Sequence, residues 1–163
     1  MKVDWTRMSE ELGGGERGGT DLAERALDSI LGIELIHGAI DHYINHLPGF
    51  ELARSFLIHV RSPAAMDYCY RLYKEHPDIE CRRAAVELLR MICDRSKLPW
   101  VDELLEDPDP SIQALGASML DQLLFAGSVD ASECAGLLTK LLHHPNAHVR
   151  HYHSLIMQAA ASA

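Results

Sequence analysis

Residues 76–89 read HPDIECRRAAVELL, and the pattern of this stretch returns twice further along the chain. Residues 107–120 read DPDPSIQALGASML, and residues 144–157 read HPNAHVRHYHSLIM. The three align on Pro77, Pro108 and Pro145. Asp78, Asp109 and Asn146 follow, each suited to a helix N-cap because its side-chain oxygen can accept an orphaned backbone N–H. Three places on come the apolar residues Cys81, Ile112 and Val149, and then Arg82, Gln113 and Arg150. Apolar pairs lie near the end of each copy: Leu88–Leu89, Met119–Leu120 and Ile156–Met157. The prolines are 31 and 37 residues apart. A weaker copy, LPGFELARSFLIHV, carries Pro48, 29 residues before Pro77, with its arginine, Arg54, one place late.

Between the copies the spacing predicts partner helices over roughly 64–75, 99–106 and 132–143. Each unit reads as turn, helix, turn, helix, with the proline-led helix first. Units of this length cannot bury an apolar face alone and must stack on their neighbours. The rest of the chain agrees. Ile33, Ile36, Ile40, Tyr43, Ile44 and Leu47 recur at three-to-four spacing, as do Cys134, Leu137, Leu138, Leu141 and Leu142. This period places each set on one side of a helix. All seven prolines fall between such segments or in their first turn, where a missing N–H costs nothing. No stretch alternates with period two. The expected fold class is therefore all-α, a short right-handed α-solenoid of about four helical hairpins.

Upstream, residues 1–20 read as a flexible tail, because Gly13, Gly14, Gly15, Gly18 and Gly19 crowd into it. Trp5 sits there in a predicted short helical turn. The folded domain is expected to span 21–163, with Thr20 or Asp21 as its first N-cap. One long helix over 21–47, or two broken near Gly32, both satisfy the pattern.

The proline-led motif resembles the HEAT-like repeat family. Pro77, Asp78, Cys81, Arg82 and Ala85 match its opening pattern of Pro, Asp, an apolar residue, Arg and Ala, and Pro145, Asn146, Val149 and Arg150 match most of it. The copy at Pro108 departs with Gln113. The resemblance covers about residues 48–158, with 21–47 as a divergent cap. It implies a ladder of Asp and Arg between adjacent units, here through Asp78, Arg82, Asp109 and Arg150, with a structural role. It also implies that the second helix of each pair lines a concave face. On that face it places Asp67, Tyr70, Arg71 and Lys74 from one unit, and Trp100, Asp102, Glu103 and Glu106 from the next.

Composition narrows the function. The chain has 163 residues and a net charge of −9. By segment, 1–30 carries −3, 31–60 carries −2 and 91–120 carries −4, and only 61–90 is positive, at +1. A phosphate-binding face is disfavoured. Arg82, Arg83, Arg90, Arg95 and Lys97 do cluster, but Glu80, Glu87 and Asp94 interleave with them at helical spacing, so a paired face is expected. Cys69, Cys81, Cys93 and Cys134 form no CxxC pair and read as buried thiols. No signal peptide or membrane span is evident, and a cytoplasmic setting is expected.

No catalytic motif stands up. GGGERG at 13–18 satisfies GxGxxG but lacks the preceding strand a dinucleotide site requires. No GxSxG elbow, Walker loop or HExxH occurs. His148 and His151, or His42 and His46, could share a metal on one helix face, but few acids lie near the C-terminal pair in sequence, Asp130 and Glu133 being the nearest. Some HEAT-like proteins are iron hydroxylases that use His–Glu dipeptides, and this chain contains none. No cofactor is expected. The expected function is a non-catalytic protein–protein interaction module of bacterial type, an immunity or adaptor protein that binds a basic partner. Tyr70, Arg71 and Trp100 are its first anchors, since aromatics and arginine dominate interfaces. Glu103, Glu106, Asp107 and Asp109 form an acidic ridge suited to such a partner. The alternatives are an accessory subunit similar to HEAT-like lyases or chaperones, and a His-ligated metal enzyme.

Overall fold

The computed structural model describes residues 3–14 and 19–162; Gly15 and Gly18 of the glycine-rich segment lie outside them. Among the described residues the chain is all-helical, without strands. Its helices are α1 (Trp5–Glu11), α2 (Thr20–Leu31), α3 (Ile33–Ile44), α4 (Phe50–Val60) and α5 (Pro63–Glu75). Then come α6 (Ile79–Ile92), α7 (Leu98–Leu105), α8 (Pro110–Phe125), α9 (Ala135–His143) and α10 (Ala147–Ser162). A 3-10 turn, Arg95–Lys97, leads into α7.

Local chemistry sets the helix ends. Asp78 accepts from the Glu80 N–H at 3.0 Å, Asp109 from Ser111 and Ile112 at 3.0 and 3.1 Å, and Asn146 from His148 at 2.9 Å. Ser62 caps α5, with Pro63 in its first turn. The residue before each repeat proline shares one task. His76 Nδ1, Asp107 Oδ1 and His144 Nδ1 each accept the backbone N–H two residues on, at 3.2, 2.8 and 3.1 Å. Arg82, Gln113 and Arg150 in turn donate to the carbonyls of Tyr73, Asp107 and His144. The cap and the turn before it are therefore built the same way three times, while the Arg82 bond reaches a carbonyl further back than those of Gln113 and Arg150. Gly32, at φ 81, separates α2 from α3, so 21–47 forms two helices. The N-cap of α2 is Gly19, and the segment read as a tail holds α1.

Packing pairs α3 with α4, α5 with α6, α7 with α8 and α9 with α10. The repeat proline thus lies between the two helices of a pair, and the proline-led helix is the second of each, where the sequence pattern had put it first. The three-residue turns at 76–78 and 144–146 fold the chain back on itself more tightly than the segment 93–97 does. α4 packs on α6, α6 on α8 and α8 on α10. One core runs from Ile36 and Ile40 of α3 through Leu88, Leu89, Leu104 and Met119 to Val149 and Ile156 of α10. Cys69, Cys93 and Cys134 are buried in it and Cys81 is half-buried, all four as free thiols. Burial pushes the Cys93 thiol up to about 12. Among the described residues no helix is long and apolar enough to cross a membrane.

A candidate partner-binding surface on α5, α7 and α9

α5, α7 and α9 form a second row, joined mainly by long side chains. The sequence-predicted residues lie along it. Tyr70 of α5 stacks on Trp100 of α7, with ring centroids 4.0 Å apart and planes 13° from parallel. Glu103, one turn on from Trp100, accepts from the Tyr70 hydroxyl and from Lys74. Burial works to raise the Glu103 carboxyl, but the bonds from Lys74 and Tyr70 outweigh it and hold it below its ordinary value. Burial, with Glu103 alongside, pushes the Tyr70 phenol up to about 12. Asp67 joins through Lys97, whose ammonium lies 2.6 Å from the carboxylate and 4.5 Å above the Trp100 ring. Asp102 and Glu106 face the next step, where Lys140 of α9 bridges them at 2.7 and 2.6 Å.

Arg71 stands apart from this group. Its guanidinium covers the Tyr68 ring at 4.9 Å. Tyr68 stacks on His37 and donates to Asp41 of α3 at 2.8 Å. The polar seam therefore continues from α5 back to α3 through different residues.

Lys97, Lys140, Tyr68 and Tyr73, whose ring lies 5.8 Å from that of Tyr70, belong to the seam and were not among the site residues read from the sequence. Lys140 carried a signal: it is the only Lys or Arg between Lys97 and Arg150, and it follows a run of acids. Nothing in the local pattern marks Lys97 as a partner of Asp67, because the two lie 30 positions apart, on either side of α6.

The ion pairs are lopsided toward solvent. The Lys97 and Lys140 side chains are 13% and 28% exposed, whereas Asp67, Asp102 and Glu106 are 64%, 60% and 69% exposed. At Lys97 and Lys140 the cations lie inward and the carboxylates outward, while in the Lys74–Glu103 pair the lysine is the more exposed partner. A surface whose charges nearly cancel in number still presents oxygen to the solvent.

Behind this seam, Arg82 reaches Asp107 at 2.9 Å, and Arg83 grips Asp109 through both carboxylate oxygens at 3.2 and 2.5 Å. Asp and Arg do join adjacent helical pairs at this step, but of the four residues expected to do so Arg82 meets Asp107 and Asp109 meets Arg83, while Asp78 serves as a cap and Arg150 donates to backbone carbonyls. The Arg83 bonds hold the Asp109 carboxyl below its ordinary value. At the next step the ladder becomes neutral, with Asn146 donating to Gln113 at 2.9 Å. Asp107 and Asp109 of the predicted ridge are therefore internal bonds between units, and Asp107 is buried.

His144, His42 and His46 take structural places, while His148 and His151 are exposed on α10. His144 is buried, with Nε2 2.9 Å from the Leu105 carbonyl. His42 Nε2 lies 2.9 Å from the Pro48 carbonyl, and His46 packs edge-on against Phe50. Among the described residues no three His, Cys, Asp or Glu side chains are grouped to hold a metal. Comparison of the chain with protein-family models, with curated proteins and with solved structures finds no match.

Proposed function

We propose that this protein is a non-catalytic binding module, a short α-solenoid of HEAT-like hairpins that captures a basic protein through the outward carboxylates of α5, α7 and α9. The observation that carries this reading is the inward lysine, outward carboxylate arrangement of Asp67–Lys97 and of Asp102 and Glu106 with Lys140. Each half-buried lysine holds its carboxylates in place, so a partner's cations would meet a preordered set. The half-buried Tyr70–Trp100 stack lies at the centre of that set, a position suited to an anchor. In a stack of hairpins the more widely spaced row lies outside. The reading accordingly assigns the acidic surface to the convex side, and not to the concave side that the resemblance implied. An immunity or adaptor role of bacterial type, with a basic partner such as a nuclease toxin, is the finer form of the proposal.

The test is co-purification of the untagged protein from its source cells, read by mass spectrometry, with the Asp102→Lys/Glu106→Lys double variant in parallel. A basic protein should be retained at low salt by the parent chain and lost from the variant, with retention falling as salt rises. Equal retention by both, or recovery of a tightly held small molecule without any protein, would remove the proposal.

A further inference from the structure

The repeat register reveals which face of each helical pair its neighbour covers. Twelve residues after the repeat prolines come Val60, Leu89, Leu120 and Met157. Leu89 and Leu120 are fully buried and Val60 is half-buried, yet Met157 is 49% exposed. Nine residues after them, Leu57, Val86 and Ala117 are buried and Ser154 is exposed. Four residues after them the order reverses: Ile112 and Val149 are fully buried and Cys81 is half-buried, but Leu52 of α4 is 76% exposed. Since α4 packs on α6, α6 on α8 and α8 on α10, the ninth and twelfth places are covered by the pair that follows, and the fourth by the pair that precedes. α9 agrees with α10. Leu142 stands three residues before Pro145 as Leu105 does before Pro108, and it is 47% exposed where Leu105 is fully buried. At the other end α2 packs on α3 and α5 and leaves Leu52 open. A stack of repeats is closed by terminal units with a polar outer face, and here both ends present apolar side chains at the stacking positions.

We propose that the chain associates head to tail, the α9–α10 end of one copy seating on the α3–α4 end of a second. Met157 and Leu142 would then gain the cover that Leu120 and Leu105 have from the pair after them, and Leu52 the cover that Ile112 and Val149 have from the pair before. The charges favour this pairing of ends. Residues 134–163 contain no Asp or Glu and carry Lys140 and Arg150, a net +2. Residues 33–60 carry Glu34, Asp41 and Glu51 against Arg54, a net −2. Two tails, or two heads, would bring like charges together, whereas a head and a tail bring opposite ones. The contact is heterologous, so each copy keeps one free head and one free tail and assembly continues past the dimer, as an open chain or a ring. Neither end uses Asp67, Asp102 or Glu106, and the association and the capture of a basic partner can fail separately.

The test is sedimentation velocity of the full chain at low salt over a rising series of concentrations. The parent chain should form species larger than a dimer. Met157→Glu places a carboxylate in the tail and Leu52→Lys an ammonium in the head, each set against its own sign across the contact. Either variant alone should remain monomeric. An equal mixture of the two should form a dimer and nothing larger, because it retains one intact head and one intact tail. Both side chains are exposed, so the fold should survive, and circular dichroism verifies it; if a charged variant does not fold, Met157→Gln or Leu52→Gln takes its place. A parent chain that stays monomeric at every concentration overturns the inference. So does a dimer that persists in either variant alone, the sign of two like ends joined, or a mixture that does not associate.

Discussion

A Cβ added to Gly116 of α8 would lie 2.7 Å from the Leu104 Cβ of α7 and 3.4 Å from the backbone of the same helix. The missing side chain is what lets the two helices of this pair approach so closely. Gly38 of α3 and Gly136 of α9 are also helical glycines, yet a Cβ at either would meet nothing within 4 Å.

Alanine at these positions should therefore act with opposite signs. Gly38→Ala gains helix propensity, a stabilisation of about 0.5–1 kcal/mol. Gly116→Ala gains the same local preference but must push Leu104 away at its Cβ, where the side chain has no freedom to yield. Overpacking of this kind costs about 1–3 kcal/mol, so the net effect should be destabilising. Urea unfolding of the two variants beside the parent chain checks the difference in sign.

Trp100→Ala should cost roughly 2 kcal/mol, below the cost of a fully buried aromatic because the ring is half-exposed, and lower Tm by about 4–8 °C. Tyr70→Phe keeps the stack and removes only the hydroxyl bond to Glu103, a loss of about 1 kcal/mol. If Trp100→Ala leaves Tm unchanged, the stack contributes nothing to joining α5 and α7.

Arg82→Met leaves the Asp107 carboxylate, 3% exposed, without its cation. Stranding one member of a buried pair costs about 3–5 kcal/mol. Combining Arg82→Met with Asp107→Asn should cost less than the sum of the two single changes, because the uncompensated charge is gone. A thermal double-mutant cycle measures that coupling.

Glu103 and Asp121 should shape the pH profile of stability in opposite directions. The Glu103 carboxyl is held below its ordinary value of 4.5, so its contribution is present above that pH and fades as pH falls through the lowered value. Burial raises the Asp121 carboxyl above 3.8, so its contribution is present below that pH and is lost as pH rises through the raised value. Glu103→Gln should accordingly flatten the acid limb, while Asp121→Asn should raise Tm at neutral pH and do little in acid. Melts recorded between about pH 3 and pH 7 decide both. An Asp121→Asn profile parallel to that of the parent chain would show that the Asp121 carboxylate is not penalised by burial.

The sequence by itself determined the helices, most of their ends and the repeat. Those features depend on interactions within a few residues: apolar spacing at 3.6, a capping oxygen reaching the next turn, and proline where no N–H is required. Asp78, Asp109 and Asn146 could be read as caps for that reason, and they are caps. Tertiary structure alone decided which helices pair across each proline turn, and that Arg82 meets Asp107 while Arg83 takes Asp109. It also decided that a Cβ at Gly116 meets Leu104 while one at Gly38 meets nothing, and that Lys97 and Lys140 lie beneath the carboxylates they bind. Each of those outcomes joins residues from different helices, and in three helical pairs the same local pattern is met by different neighbours. A repeat specifies what each unit can offer to the next; which side chain arrives opposite is set by packing.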